Sequence, residues 1–258
     1  MMILTADIGN TNSVFGIWDQ HNLVSSCRLS TDKNRTAFEW AQLLKGWAEF
    51  KDPHRLQAIY ASVVPSVNTA LEECFDLLQI KKCARLAHDM RFPFTFDYEQ
   101  YPTLGADRLA NAAAGVLYYG DNLIIVDFGT AITFCLITGK VYRGGVIAPG
   151  IHSSLDALFR HTAKLPEISF YPVKTVLGKS TVLSIEAGAY FGYKGLIREI
   201  LGELKKTDEA RAVRERDQKL LVVSTGGISE SLDFSGEFFD IVDKNLTLRG
   251  LMGLADFI

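Results

Sequence analysis

One short pattern occurs twice in the sequence, and it constrains the fold more than any other feature. Near the start the chain reads Ile3-Leu4-Thr5-Ala6-Asp7-Ile8-Gly9-Asn10-Thr11-Asn12-Ser13-Val14-Phe15, and in the middle Ile124-Ile125-Val126-Asp127-Phe128-Gly129-Thr130-Ala131-Ile132-Thr133-Phe134. Each copy is an apolar run ending in Asp, then an apolar residue, Gly, a Thr within two positions, and a second run rich in Val, Ile, Phe and Thr. That is the pattern of strand, tight turn, strand. The two aspartates stand 120 positions apart (127 minus 7), too far for a solenoid period and suited to two copies of one small domain.

The turn is where chemistry belongs. Glycine lets backbone N–H groups approach an anion, Thr adds a hydroxyl donor, and Asp at the strand end holds a cation that neutralises phosphate charge. Two such turns facing one another would make a nucleotide cleft. A single Asp-x-Gly also closes ordinary hairpins; its recurrence in the same context favours the functional reading.

Composition excludes several classes. The chain has 258 residues, 48% hydrophobic and 22% charged, with 21 Gly and 7 Pro, the profile of an ordinary globular protein of one or two domains. A net charge of −3 lacks the basic field that nucleic acid or an anionic membrane attracts. Cys27, Cys74, Cys83 and Cys135 form no C-x-x-C pair and read as reduced, mostly buried thiols of a cytoplasmic protein. There is no secretory leader pattern, because Asp7 interrupts the first apolar run, and no run reaches the length of a membrane span. The five histidines fall at no spacing typical of zinc, which argues against a transition-metal enzyme.

In chain order, the first turn leads into a three-stranded antiparallel opening that ends near Leu29. Thr36 and Glu39 form a capping-box pattern at the head of a helix with Phe38, Leu43, Leu44 and Trp47 as its apolar stripe. A strand from Leu56 to Val64 follows, with Pro65 opening another helix. Residues 85–102 are irregular and aromatic-rich, which points to a packed surface or a subunit contact. Gly105-Ala106-Asp107-Arg108 then heads a helix. Asp107 there suits the helix dipole, and it also pairs a proton acceptor with an adjacent guanidinium that can hold an anionic group.

The second turn opens a second half. Its later landmarks are Gly144-Gly145, Pro149-Gly150 at a helix entrance, and Gly178-Lys179-Ser180-Thr181 before a long helix. Gly188, Gly192 and Gly195 fall on one side of that helix and predict close packing, inside the subunit or across a dimer. The mixed-charge run from Lys205 to Lys219 reads as a solvated helix or loop. A strand from Leu220 to Ser224 ends in Thr225-Gly226-Gly227, another strand covers Phe238 to Val242, and a terminal helix closes the fold.

Together these residues resemble the type III pantothenate kinases, of the actin, Hsp70 and sugar-kinase superfamily. The resemblance runs over essentially the whole chain, through Asp7-Ile8-Gly9-Asn10-Thr11-Asn12, Arg35-Thr36 with Glu39, Ser62 to Pro65, Gly105 to Arg108, Asp127 to Ala131, Gly144 to Gly150, Gly178 to Thr181, Thr225 to Gly227 and Leu246 to Leu251. The Asp-x-Gly turns are common to the superfamily; Gly-Ala-Asp-Arg with the Gly-Gly and Pro-Gly segment is specific to this branch. Ile132 and Cys135 depart from it, standing where family members commonly have Thr and Asp.

The resemblance implies an α/β fold of two ribonuclease H-like (actin-like ATPase) domains, residues 1–118 and 119–258, each a mixed sheet flanked by helices, with a cleft between them. It implies ATP-dependent phosphorylation of the primary hydroxyl of pantothenate, the first step of coenzyme A biosynthesis. Asp7, Ile8, Gly9, Asn10, Thr11, Asn12, Ser13, Val14 and Thr130 would bind ATP, with Asp7 placing the Mg2+ of MgATP. Tyr101, Gly105, Ala106, Asp107, Arg108 and Thr181 would hold pantothenate, Asp107 acting as general base. Asp127 would bind a monovalent cation, K+ or NH4+. A homodimer is expected, with no nucleic-acid or membrane partner. The competing readings are a superfamily enzyme with another acceptor and a non-catalytic regulatory factor of the same fold.

Overall fold

The computed structural model describes residues 2–47, 49–162, 165–229 and 235–257. In chain order the elements are β1 (Met2–Ile8), β2 (Asn12–Asp19), β3 (Asn22–Ser30), α1 (Ala37–Lys45), β4 (Leu56–Ser62), α2 (Pro65–Leu77), β5 (Lys82–Arg85), β6 (Thr95–Phe96), α3 (Ala106–Tyr118), β7 (Leu123–Phe128), β8 (Ala131–Thr138), β9 (Val141–Pro149), α4 (Ile151–Arg160), α5 (Thr181–Leu204), α6 (Asp208–Glu215), β10 (Leu221–Gly226), α7 (Ser235–Phe238), β11 (Ile241–Val242) and α8 (Leu246–Leu254). They gather into two units, one of Met1–Thr95, Glu99–Tyr118 and Leu246–Ile258, the other of Phe96–Tyr98 and Tyr119–Asn245.

The first unit is built on a mixed sheet ordered β3-β2-β1-β4-β5. β1 runs antiparallel to β2 and parallel to β4. Ile3, Leu4, Thr5 and Ala6 are all buried, because a central strand covered on both faces loses the alternation of a half-exposed one. β3, at the edge, alternates between exposed and half-buried. Leu4, Ile8, Phe15 and Tyr60 of the sheet pack with Trp40 and Leu44 of α1 and Leu71 and Phe75 of α2.

Thr36 caps α1 in a complete capping box with Glu39. The buried face of α1 is Trp40, Ala41 and Leu44. The predicted stripe was partly misplaced, since Phe38 is 64% and Leu43 40% exposed; the heptad-like spacing of residues 40, 44 and 47 decided which face turned inward. The strand expected to reach Val64 stops at Ser62, and Pro65 opens α2 at its first turn.

The last helix belongs to this unit. Leu246, Leu248, Leu251, Met252 and Leu254 are buried, and α8 packs along α3. Thr247 Oγ1 donates to Asn111 Oδ1 at 2.8 Å, and a Cβ at Gly250 would collide with the Ala110 carbonyl. Residues 246–257 therefore leave the second half of the sequence, where the division at 118/119 had placed them.

The second unit repeats the arrangement around β7. Its sheet is ordered β11-β10-β7-β8-β9-β6, with β7 antiparallel to its hairpin partner β8 and parallel to β10. The two copies of the sequence pattern thus become β1–β2 and β7–β8, each at the centre of a sheet. Ile124, Val126, Ile132 and Phe134 pack with Ile151 of α4 and with Tyr190, Ile197 and Leu201 of α5.

Among the described residues the glycines of α5 are not closely packed: a Cβ at Gly188, Gly192 or Gly195 would meet nothing of them within 4 Å. The charged run holds α6, which buries Ala210 and Val213. The expected strand from Phe238 shrinks to Ile241–Val242, because Phe238 ends α7 and Phe239 turns into the core against Phe128 at 5.8 Å between ring centroids. All four cysteines are free; Cys74 and Cys135 are buried, Cys27 is half-buried and Cys83 exposed. No helix among the described residues is long and apolar enough to cross a membrane.

Candidate active site

In the first unit the turn after β1 is closed by a backbone bond, Gly9 N–H to Asn12 O at 3.0 Å. Asp7 lies half-buried at the end of β1, and Ile8 is fully buried beneath the turn. Asn10 and Thr11 are exposed, Asn12 opens β2, and Ser13 and Val14 continue it. The turn is braced from β3: Thr31 N–H donates to Thr11 O at 2.9 Å, and the Ser13 and Thr31 hydroxyls lie 2.7 Å apart.

The same turn reaches the Gly-Ala-Asp-Arg segment through the end of β4. Val63 N–H donates to Ile8 O at 3.0 Å, and Val63 Cγ1 lies 3.8 Å from where a Cβ on Gly105 would be. Asp107 folds its carboxylate back over Gly105, and a Cβ there would displace Asp107 Oδ1. That oxygen also accepts the Arg108 N–H at 2.8 Å. Ala106 and Arg108 are buried. Tyr101, by contrast, opens a short 3-10 turn and is 41% exposed.

Burial pushes the Asp107 carboxyl above the usual carboxylate range, while the Arg108 N–H and the Arg108 charge pull it partly back. A carboxylate held in this way is a stronger base than one in water, and it is fixed in direction by a backbone donor.

In the second unit three glycine turns, scattered through the sequence, converge. Gly129 N–H donates to Ala131 O at 3.0 Å and closes the Asp127–Thr130 turn. Gly226, at φ +97°, packs against its inner side: a Cβ there would lie 2.7 Å from Asp127 Oδ1 and 2.5 Å from Phe128 O. Gly227 N–H donates to Phe128 O at 3.2 Å. From the other side Gly150 N–H donates to Thr130 O at 3.1 Å, and Ser153 Oγ donates to the same oxygen at 2.8 Å. The Asp127 carboxylate is a hard oxygen donor, which fits an alkali cation better than a soft metal. Thr130 itself is exposed at the tip of its turn.

Thr181 is the exposed first residue of α5, behind a Ser180 cap that accepts the Leu183 N–H at 3.3 Å. Among the described residues no hydrogen bond joins it to the Asp127 turn.

Several supporting residues carried no sequence signal. His88 Nε2 donates to Leu104 O at 2.8 Å and pins the chain one residue before Gly105. The Tyr193 hydroxyl lies 2.6 Å from Ser154 Oγ and 3.1 Å from Gly150 O, tying α5 to the entrance of α4. A histidine and a tyrosine at such separations from their partners have no periodicity to reveal them. The two departures are absorbed in the core. Ile132 is fully buried, and Cys135, 2% exposed, accepts the Tyr142 hydroxyl at 3.3 Å; both lie on β8, beyond the Asp127–Thr130 turn.

A family model for type III pantothenate kinase matches residues 3–203. A type III pantothenate kinase from Bacillus cytotoxicus is 38% identical over 257 residues, covering 97% of this chain and 94% of the relative. Among solved structures, a Campylobacter jejuni protein described as a Baf family transcriptional activator superposes with a TM-score of 0.59 at 22% identity, covering 98% of this chain and 97% of that one. A Listeria monocytogenes protein described as an N-acetylmannosamine kinase gives a TM-score of 0.50 at 12% identity, with 99% of each chain covered. At those identities the solved structures speak for the fold, two mixed sheets each flanked by helices, and not for the reaction. The extent of the family match and the identity to the Bacillus enzyme decide the rest: the chain belongs to the type III pantothenate kinase family.

Proposed function

We propose that this chain transfers the γ-phosphoryl group of ATP to the primary hydroxyl of pantothenate, giving 4'-phosphopantothenate and ADP, with Asp107 as general base. The observation that carries the assignment is the seat of Asp107. Its carboxylate lies over a glycine that admits it, is oriented by the Arg108 N–H, and has its basicity raised by burial. As the hydroxyl oxygen forms its bond to the γ-phosphorus, Asp107 takes the hydroxyl proton. ADP departs with the electrons of the broken P–O bond, and the carboxyl later gives its proton to solvent.

Phosphoryl transfer needs positioning and charge neutralisation more than covalent chemistry. In our reading Asp7 to Val14 hold ATP phosphates, Asp7 placing the Mg2+ that travels with ATP, and Thr130 adds a hydroxyl contact. Arg108, Gly105, Ala106, Tyr101 and Thr181 hold pantothenate, Arg108 by its charge. Asp127 holds K+ or NH4+, which supplies positive charge beside the phosphates; its hard carboxylate donor, packed beside the Gly226 turn, supports this. A homodimer and a cytoplasmic location complete the proposal.

The test is a coupled ADP-release assay with pantothenate and MgATP, run in potassium and in sodium alone. Turnover that requires pantothenate is expected, with a potassium response that Asp127→Ala abolishes. ADP release indifferent to pantothenate would overturn the reaction, and an unchanged potassium titration in Asp127→Ala would overturn the cation site.

A further inference from the structure

Arg35 is held beside the Gly9–Ser13 turn, and a carboxylate that feels its charge, Glu39, is turned to another partner. Its guanidinium carbon stands 4.4 Å over the Trp40 ring, and Nη1 donates to Ser30 O at 2.9 Å. Ser30 is the cross-strand partner of Asn12, the residue that ends the turn. Thr31, one residue on, is bonded to both Thr11 and Ser13. Residues 32–35 then fold back, with Arg35 N–H donating to Asp32 O at 3.3 Å, so the guanidinium returns to the strand end that braces the turn.

Two features separate this arginine from a solvated surface charge. No carboxylate among the described residues forms an ion pair with it. Glu39, the acid nearest in sequence toward the helix, turns Oε2 to the Thr36 N–H and hydroxyl at 2.8 Å each. The stack on Trp40, itself fully buried, also removes much of the rotamer freedom that an arginine would otherwise lose on binding. A planar guanidinium carries five N–H donors in a fixed fork suited to phosphate, and the Ser30 carbonyl uses one side of it.

We propose that Arg35 is a nucleotide-binding residue, donating its remaining N–H groups to the triphosphate held by the Gly9–Ser13 turn, with Trp40 and Ser30 as its positioning contacts. The assignment rests on the reading of Asp7 to Val14 as the phosphate turn. It adds to that turn the one element a glycine loop lacks, a full positive charge, drawn from the loop between β3 and α1.

The experiment is calorimetric titration of MgATP, without pantothenate and at fixed potassium, into the full chain and into Arg35→Gln, Arg35→Lys and Lys33→Gln, followed by Michaelis constants for both substrates. Hydrogen bonds to charged groups contribute about 1.5–3 kcal/mol. Arg35→Gln is therefore expected to weaken ATP about 10- to 150-fold and to leave the pantothenate KM in place. Arg35→Lys, which keeps the charge and stem but not the fork, should fall between, and it carries the test if Arg35→Gln does not fold. Lys33→Gln, an exposed neighbouring charge, should bind ATP within about twofold of the wild type, as surface charges do.

Wild-type ATP affinity in Arg35→Gln would overturn the inference while leaving the phosphate turn intact. So would a loss confined to the pantothenate KM, or an equal loss in Lys33→Gln. A wild-type chain that binds no MgATP would remove the phosphate-turn reading and this inference with it.

Discussion

A methyl group at position 105 would occupy the space that Asp107 Oδ1 now fills. Gly105→Ala is accordingly expected to lower kcat at least about tenfold by turning the carboxylate aside, since small misplacements of reacting groups are expensive. ATP affinity, measured by titration, should stay within about twofold if the nucleotide is held mainly by the turn after β1. Asp107→Asn should cost about 10²- to 10⁴-fold in kcat. Because burial raises the Asp107 carboxyl, the wild-type kcat/KM should climb with pH along a limb above the ordinary carboxylate range, and that limb should be absent in Asp107→Asn. The same shift bears on stability, with a definite sign. Between the ordinary and the raised value the native state binds more proton than the unfolded state, so stability falls as pH rises through that window and stays lower above it. In urea melts the stability of Asp107→Asn relative to the wild type should therefore rise from pH 4 to pH 8; a relative stability that falls over that range would contradict the burial of this group.

The elements show which parts of the fold the sequence could announce. The β1–β2 and β7–β8 hairpins, the Thr36 capping box and the Pro65 helix start rest on neighbours a few positions apart, and local chemistry made them legible. α1 was legible as a helix but not in its inward face, because both Phe38 and Trp40 are large and apolar and only the sheet beneath chooses between them. In the candidate site, the Gly-Ala-Asp-Arg segment singles out Asp107 by local pattern, whereas the convergence of Gly150 and Gly226 on the Asp127 turn depends on contacts between segments that share no local pattern. The α3–α8 pairing is of the same kind. Gly250 there lets α8 approach Ala110 without clash, and Gly250→Ala is expected to destabilise the fold by about 1–3 kcal/mol through overpacking. Chemical denaturation would register it as a lower midpoint. A midpoint equal to the wild type would mean that the two helices separate at little cost.

At the scale of the whole molecule, the open glycine face of α5 and the exposed Val176 and Leu177, at 70% and 75%, bear on the proposed homodimer. If two copies meet along that face, Gly192→Glu should reduce the mass read by light scattering from two chains to one, with the far-ultraviolet spectrum unchanged. A mass that stays at two chains would place the contact elsewhere.

The membership of α8 in the first unit has a bearing on biogenesis. Residues 119–245 are nearly all that the second unit requires, so it has its full sequence while Leu246 is still unsynthesised. The first unit, although begun earlier, lacks the helix that covers α3 until the ribosome has released residues 246–254. The sequence of the second unit is then complete before that of the first, although domains usually fold from the N-terminus onward. Nascent chains arrested after residue 245 and clear of the exit tunnel should show protease cleavage within α3 and protection across β7 to β10; protection of both would mean that the first unit closes without its last helix.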